Sequence, residues 1–398
     1  MADNYIYLDN AATTLPNKEV LSLYNDIELN HFGNSGSIHH LGNDSSNLLN
    51  KARESILASF KLKKHKVYFT GSSTEANNLA IISYCYKYQN RGKHIITSNI
   101  EHPSVLECFR KLESEGFKVT YLKVNKDGVI SLDELKKNIS NETILVSIMA
   151  VNNEIGSINP IKEIAEIVHK FPKCSLHVDT TQAVGKVALD YNNIDMFVVS
   201  SHKIHGLKGS GALIAKDTLS FEPVIYGGGQ EDGYRSGTVS VAHACALAKA
   251  LKLAMQSKNI GDLQAFLLEN LRNLDEVELN SNKDCSPYIV NFSLKTKKAA
   301  VVVEGLSNKN IFVSSVSACN SKREAISYVV SALGKEEKLA HNTIRVSLDN
   351  DTTKEELEIF IKELKNILEA IKWFTITSWF DLVNCLPREK IKKTSLRS

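Results

Sequence analysis

The sequence predicts an α/β fold, with a mostly parallel central sheet followed by a smaller α+β domain. Three observations carry that expectation. Residues 60–216 alternate short β-branched runs with amphipathic helical stretches, the pattern of βαβ units. After Gly237 the alternation gives way to a long helical stretch and then to a second group of strands. The length, 398 residues, exceeds what one hydrophobic core ordinarily organises.

In the alternating region strands are expected at 67–70, 94–98, 119–124, 144–151, 176–179, 196–200 and 211–216. Amphipathic stretches at 75–89, 104–115 and 161–170 lie between them as helices on both faces of the sheet. Functional residues of such a sheet gather at the carboxyl ends of its strands. Beyond Gly237, helical patterns at 239–255 and 263–274 lead into strands at 288–294, 311–315 and 343–348. A closing helix is expected over 354–373, starting after the cap region Asp351-Thr-Thr.

Composition narrows the function classes. With 43% hydrophobic and 23% charged residues the chain reads as an ordinary globular protein. A net charge of +3 is too mild for a nucleic-acid footprint, so no direct nucleic-acid binding is expected. The basic C-terminal run, Arg388, Lys390, Lys392, Lys393 and Arg397, reads as a solvated tail in preference to an RNA contact. Seven cysteines, an odd number without a CxxC pair, argue against a disulfide framework and a structural zinc site. The N-terminus carries no signal-like apolar region and no apolar run reaches membrane-spanning length, so a cytoplasmic protein with no membrane partner is expected.

The segment richest in chemistry is Val198-Val-Ser200-Ser-His202-Lys203-Ile-His-Gly. A lysine at a strand's carboxyl end, desolvated and near other cations, has a lowered pKa and becomes an amine able to bond a carbonyl carbon. Ser200 and His202 can reach a phosphate beside it; the competing reading is a surface lysine in a loop. Leu176-His-Val-Asp179-Thr-Thr-Gln182 ends a second strand in an acid. Such a carboxylate can pair with a protonated pyridine nitrogen, with Gln182 on the ring's phenolic oxygen, or it can merely cap a helix. Asp179 and Lys203 at the ends of neighbouring strands suit one cofactor lying across both.

Val67-Tyr-Phe-Thr-Gly71-Ser-Ser73-Thr74 runs from strand to glycine turn to hydroxyl pair to helix, an arrangement that binds anions through backbone N–H groups and the helix dipole. Ser73 and Thr74 are equally readable as an N-cap and first turn, and the two readings are compatible. His102, after the 94–98 strand, is placed to lie on a cofactor ring, and Asn153 ends another strand; a satisfied histidine and a turn asparagine are the plain alternatives. Cys319 follows a strand in a stretch of small polar residues close to Lys322 and Arg323, a setting for an accessible thiolate as against an inert buried thiol. Arg345 stands inside an apolar strand and needs a partner, either a substrate carboxylate gripped by two N–H groups or a structural Asp or Glu.

Together these residues give the chain a resemblance to the cysteine desulfurases, within the class V aminotransferase group of fold-type I pyridoxal-5′-phosphate (PLP) enzymes. It runs from Tyr7-Leu-Asp-Asn-Ala-Ala-Thr-Thr14 to about Ile371, through Phe32-Gly-Asn34-Ser-Gly, Thr74-Glu-Ala-Asn, Glu101-His102, Asn153-Glu-Ile-Gly, Arg235-Ser-Gly-Thr238, Ser317-Ala-Cys319 and Ile344-Arg345. The resemblance implies a fold-type I transferase divided into an N-terminal segment, 1–20, packed on the small domain, a PLP-binding domain, 21–250, and a small domain, 251–398, carrying Cys319. It implies that Lys203 bonds PLP, Asp179 holds the pyridinium, Gln182 touches the phenolic oxygen and His102 stacks on the ring. Ser73, Thr74, Ser200 and His202 would hold the phosphate, with Thr238 reaching in from the other subunit of a homodimer. Asn34, Asn153 and Arg345 would orient the substrate, L-cysteine, and Cys319 would take its sulfur, leaving L-alanine.

The implied acceptor of that sulfur is an iron–sulfur scaffold or a tRNA-thiolating enzyme, and selenocysteine is an alternative substrate. Val316 stands where the family has glycine before Ser-Ala-Cys, and Asn34-Ser-Gly replaces Asn-Pro-Ser. Gly71-Ser-Ser-Thr replaces a turn richer in glycine, and the region beyond Trp373 differs from the relatives. Another class V lyase or aminotransferase, or a non-catalytic partner retaining the fold, are the competing functions. Ser-Ala-Cys319 speaks against the former, and intact Lys203, Asp179, His102 and Arg345 against the latter.

Overall fold

The computed structural model describes residues 5–256, 258–315 and 326–372. Its strands are β1 (Ile6–Tyr7), β2 (His65–Thr70), β3 (His94–Ser98), β4 (Lys118–Leu122), β5 (Thr143–Ser147), β6 (Ser175–Asp179) and β7 (Met196–Ser200). There follow β8 (Gly211–Lys216), β9 (Val277–Leu279), β10 (Ile289–Leu294), β11 (Ile311–Phe312), β12 (Ser314–Ser315) and β13 (Thr343–Ser347). Seven of them form one sheet in the order β2-β8-β7-β6-β5-β3-β4. β7, β6, β5, β3 and β4 are parallel, while β8 is antiparallel to both β7 and β2. β2 therefore points the same way as β7, and the carboxyl ends of β2, β3, β5, β6 and β7 lie along one edge. β3, β5, β6 and β7 are buried at every residue, because helices cover both faces; that is why they read as unbroken apolar runs and not as alternating ones.

The second unit is a four-stranded antiparallel sheet, β12-β13-β10-β9. Helices Gly261–Arg272, Ala299–Ser307 and Lys354–Lys372 accompany it. The last begins at a reciprocal cap: Thr353 Oγ1 accepts from Glu356 N–H at 3.2 Å, and Thr353 N–H donates to Glu356 Oε2 at 2.9 Å. One apolar cluster is continuous from Phe197 and Ile214 of the large sheet to Phe292 and Phe360 of the smaller unit. No helix among the described residues is long and apolar enough to cross a membrane.

The N-terminal segment joins the two units. β1 pairs in parallel with β11, and Ser347 N–H donates to Leu8 O at 2.7 Å. Further on, Thr14 N–H donates to His202 O at 2.9 Å and Asn17 N–H to His205 O at 2.8 Å. The chain thus crosses from the small sheet to the turn after β7.

Several elements differ from the sequence expectation. The helix expected over 75–89 is α-helical at Ser73–Asn78 and Tyr84–Tyr88, with a π-helical turn at Leu79–Ser83 between them. That wider turn lets Leu79, Ala80, Ile81 and Tyr84 all be buried, which strict helical periodicity does not anticipate. The run 311–315 is two strands in two sheets, with buried Val313 as the pivot. The 144–151 run leaves the ladder after Ser147 and continues as extended chain, Ala150 N–H donating to Asp179 O at 3.0 Å. Helices Lys18–Asn30 and His40–Ser59 were not expected, their apolar faces being narrow and interrupted by polar residues.

A buried ion pair braces the edge that carries the site. Glu231, whose side chain is 1% exposed, takes both arms of Arg53 at 2.6 and 3.1 Å, and Phe69 N–H donates to it at 2.8 Å. It fastens helix His40–Ser59 and the loop around Glu231 to β2, just before the Gly71 turn. Glu231→Gln should lower stability by about 2–4 kcal/mol, since Arg53 is left partly buried without its counter-ion. Lys66→Ala, which breaks the exposed pair with Asp232, should cost about 0–1 kcal/mol. Urea unfolding of the two variants measures the difference, and equal losses would show that Arg53 needs no counter-ion.

Candidate active site

Five turns meet at the carboxyl edge of the large sheet, and each brings one or more of the sequence-predicted residues. β6 ends in Asp179, buried, with Oδ2 accepting from Asn77 Nδ2 at 3.0 Å and Oδ1 from Thr181 N–H at 2.9 Å. The capping reading of Asp179 therefore holds for one oxygen, while Asn77 orients the other. β7, beside it, ends in Ser200, and a tight turn over Ser201–Lys203 follows. A Cβ at Gly206 would fall 2.0 Å from Ser201 Oγ, so this turn admits no side chain there.

Lys203 Nζ donates to Ala11 O and Ala12 O, each at 2.6 Å. Burial pushes its pKa down to about 7, aided by the charges of Arg345 and Lys186 and opposed by Asp9 and Asp179. The lysine is thus the desolvated amine that the sequence suggested, not a surface lysine. His202 is held down at about 4 by burial, then by Lys203, Lys208 and Lys186. Its Nδ1 lies 3.1 Å from Thr13 Oγ1.

Gln182 donates from Nε2 to Ala11 O at 2.9 Å, and its Oε1 accepts from Lys186 Nζ at 3.3 Å. The ammonium on Oε1 fixes the amide so that its donor faces the Lys203 side. His102 caps helix Pro103–Ser114, Nδ1 accepting from Ser104 N–H at 3.1 Å. It sits in a recess, reachable from outside yet crowded by protein; burial lowers its pKa, with Asp179 opposing and Lys203 adding. An open groove of about 440 Å³ has Thr74, His102 and Ser104 in its lining. The N-cap of helix Ser73–Asn78 is Ser72, whose Oγ accepts from Glu75 N–H at 3.1 Å, so Ser73 and Thr74 are its first turn.

Arg345, on β13, comes from the other unit. Its Nη2 contacts Asp9 Oδ1 at 2.9 Å, and its Nη1 donates to Asn153 O at 2.8 Å. The structural-acid alternative is realised here, and by an acid that sequence reading did not single out. Asn34 and Thr238 are not joined to the Lys203 turn: Asn34 is exposed and folds back on Gly36 N–H at 2.9 Å, and Thr238 is exposed after Gly237. Cys319 lies outside the described residues, as do Val316, Lys322 and Arg323.

Both chain segments flanking Cys319 are nevertheless tied to the site. Ser314 on β12 is the strand partner of Arg345. On the far side Ser327 Oγ donates to Glu154 Oε2 at 2.6 Å and Tyr328 Oη to Glu101 O at 2.7 Å. The five described cysteines, Cys85, Cys108, Cys174, Cys245 and Cys285, are free thiols, and burial raises the pKa of each. None of the five is set up as a thiolate nucleophile.

Four site residues received no role from the sequence: Asp9, Asn77 and Glu101, which lie within the quoted motifs, and Lys186, four residues after Gln182. Burial lowers its pKa to about 8, with Asp349 opposing and Arg345 adding. Glu101 is buried and raised to about 8 by that burial, against hydrogen bonds from Ser98 Oγ at 2.6 Å and Met149 N–H at 3.0 Å; nearby Asp179 adds to the shift. Several buried polar atoms on this edge have no partner among the described residues: Ser200 Oγ, Thr181 Oγ1 and Asn153 Oδ1. Buried polar groups are normally satisfied, so these are available to a bound group. With the lowered-pKa amine of Lys203, they fit an anionic ring cofactor carrying an aldehyde, as PLP does.

Comparison with known proteins points the same way. The family model described as Aminotransferase class-V matches residues 6–360. The chain is 37% identical over 375 residues to the cysteine desulfurase IscS of Clostridium botulinum (strain Hall), covering 92% of this chain and 94% of that protein. A NifS-like protein of known structure superposes with a TM-score of 0.85 at 32% identity, over 92% of this chain and 100% of that one. SspA in complex with cysteine does so with a TM-score of 0.77 at 32% identity, over 87% and 100% respectively.

The Lys203 environment makes a titration prediction. In protein stripped of cofactor, acetic anhydride should modify Lys203 with a midpoint near pH 7, far below an ordinary lysine. Lys186→Met removes a nearby positive charge, which favours the protonated amine, so the midpoint should move up. Peptide mass spectrometry across pH reads both; a wild-type midpoint in the ordinary lysine range would show the amine to be solvated.

Proposed function

This chain belongs to the class-V aminotransferase family of PLP enzymes, and on that premise we propose how its own residues perform cysteine desulfuration, the activity named for its relatives. The observation that carries the reading is the convergence of the Lys203 amine, its pKa lowered to about 7, with the Asp179 carboxylate at the large sheet's edge and the Arg345 guanidinium from the second sheet. PLP, when bound, supplies an electron sink conjugated to the substrate's α-carbon. Lys203 would bond the cofactor, and its Nζ, once displaced by the substrate's amine, could accept the α-proton. Asp179, oriented by Asn77 and Thr181, would pair with a protonated ring nitrogen. Gln182 would offer Nε2 to the phenolic oxygen, and His102 would cover the ring.

Ser73 and Thr74 at the helix start, with Ser200 Oγ and His202, would hold the phosphate. Thr238 of the partner subunit would complete that site; Thr238 is exposed in the single chain, as such a role requires. Arg345 grips the substrate carboxylate, and the free Asn153 Oδ1 and Asn34 help to orient the substrate. The thiolate of Cys319 attacks the substrate sulfur: an S–S bond forms, the Cβ–S bond breaks, and Cβ gains a proton to leave alanine. Anchoring of both flanks, at Ser314 and at Ser327 with Tyr328, supports delivery of this cysteine to the site. The persulfide passes to an iron–sulfur scaffold or a tRNA-thiolating enzyme. A cytoplasmic homodimer divided at 1–20, 21–250 and 251–398 completes the proposal.

Two experiments test these roles. Arg345→Lys should weaken cysteine binding by about 2–4 kcal/mol, nearly as much as Arg345→Ala, because an ammonium cannot form the forked contact. Turnover at varied cysteine measures this, and rescue by lysine would remove the carboxylate role. Cys319→Ser should still bind cysteine, visible as a shift in the cofactor's absorbance, yet release almost no sulfide and show no persulfide by mass spectrometry. Cys85→Ala and Cys174→Ala should keep most of the activity, as buried thiols do. Wild-type sulfide release from Cys319→Ser would make the protein a different lyase.

A further inference from the structure

The contact between Arg345 and Asp9 joins residues 336 positions apart. Asp9 is held from the backbone side. Ser347 N–H donates to Leu8 O at 2.7 Å, Asn10 N–H to Ser347 O at 3.4 Å and Ala11 N–H to Ser347 Oγ at 2.9 Å. The main chain at Asp9 is therefore fixed against β13, and only its carboxylate is free to turn. That carboxylate reaches the guanidinium through one oxygen. Arg345 Nε is buried with no partner among the described residues, and so is the side-chain oxygen of Asn153, whose carbonyl holds Nη1. A guanidinium offers five N–H groups in a fork suited to a bidentate carboxylate. Here it is under-filled.

The same N-terminal turn also covers the other cation of the site. Ala11 O and Ala12 O receive Lys203 Nζ. One short stretch thus presents a carboxylate to Arg345 and two carbonyls to Lys203, where a substrate would present a carboxylate and the cofactor an aldehyde. Burial also raises the Asp9 pKa against the pull of Arg345, so the pairing only partly compensates its desolvation.

We infer that Asp9 is an internal competitor for Arg345: its carboxylate occupies the guanidinium until the substrate carboxylate, making two contacts for one, displaces it. Asp9 thereby sets how strong a carboxylate ligand must be to enter, which makes it a specificity-determining residue. The inference rests on reading Arg345 as the substrate-carboxylate site.

The probe is 3-mercaptopropionate, a thiol carboxylate without an amine, titrated into the holoenzyme by calorimetry. Asp9→Asn, which keeps shape and removes charge, should bind it about tenfold tighter than wild type, the scale of one lost charge-assisted hydrogen bond in competition. Asp9→Ala should show the same sign, which covers the case of an asparagine variant that does not fold. Ethanethiol, lacking the carboxylate, should gain nothing. Unchanged or weaker binding in Asp9→Asn and Asp9→Ala would overturn the inference, because Asp9 would then hold Arg345 in place for the substrate. Arg345→Ala separates the two layers: if it abolishes binding of the probe while the Asp9 variants gain none, only the competitor role fails. If Arg345→Ala binds the probe as wild type does, the carboxylate reading of Arg345 fails and the competitor role with it.

Discussion

A lysine amine whose pKa burial lowers to about 7 at a sheet edge is the constraint on which the rest of the site depends. Removal from water disfavours an ammonium, and among the described residues Lys203 Nζ meets two backbone carbonyls, of Ala11 and Ala12, in compensation. Its neighbours Arg345 and Lys186 lower the pKa further, because they make another positive charge unwelcome. The β6–β7 pairing brings the Lys203 turn beside Asp179, because Asp179 and Val198 are register partners in adjacent parallel strands. The tight turn over Ser201–Lys203 then carries the amine from the end of β7.

The charge pattern around that amine follows one logic. Lys186 and His202 have their pKa values lowered by burial, and Glu101 has its value raised by burial, so groups of both signs are muted. The acids that stay in contact with cations are Asp9, on Arg345, and Asp349, on His205. With the lysines and His202 weakened as cations by burial, the Arg345 guanidinium is the group in this field suited to grip a carboxylate. Glu101, in its neutral form, bridges the β3 and β5 turns through Ser98 and Met149 without adding negative charge to that field.

The N-terminal segment makes the field possible by closing the junction between units. His205 takes part from the large unit, with Nδ1 2.9 Å from Leu15 O and Nε2 3.0 Å from Asp349 Oδ1. Burial disfavours its charge, yet the bond and charge of Asp349 outweigh that and raise its pKa. Three stretches far apart in sequence are therefore fastened at His205, two residues after Lys203. The continuous apolar cluster beneath them keeps the two sheets in a fixed relation, so Arg345 from one meets Lys203 from the other.

The strands at 94–98, 196–200 and 211–216 were legible to the residue, because runs buried on both faces announce themselves without any partner. From the strands followed the placement of His102, Asn153, Asp179 and Lys203, since parallel strands joined by helices must bring their carboxyl ends to one edge. What the sequence withheld depended on closure. Periodicity records whether a position is buried, not which distant charge it meets, so the Asp9–Arg345 pair and the burial of Glu101 were invisible. The π-helical turn at Leu79–Ser83 and the pivot at Val313 were hidden for a related reason: one residue out of phase leaves the apolar pattern intact while it redirects the chain. The amino-acid order determined which chemistry stands on the sheet edge; the packing of two sheets and one N-terminal turn decided which of those groups carry charge and what holds them, because desolvation and pairing are properties of the folded surroundings.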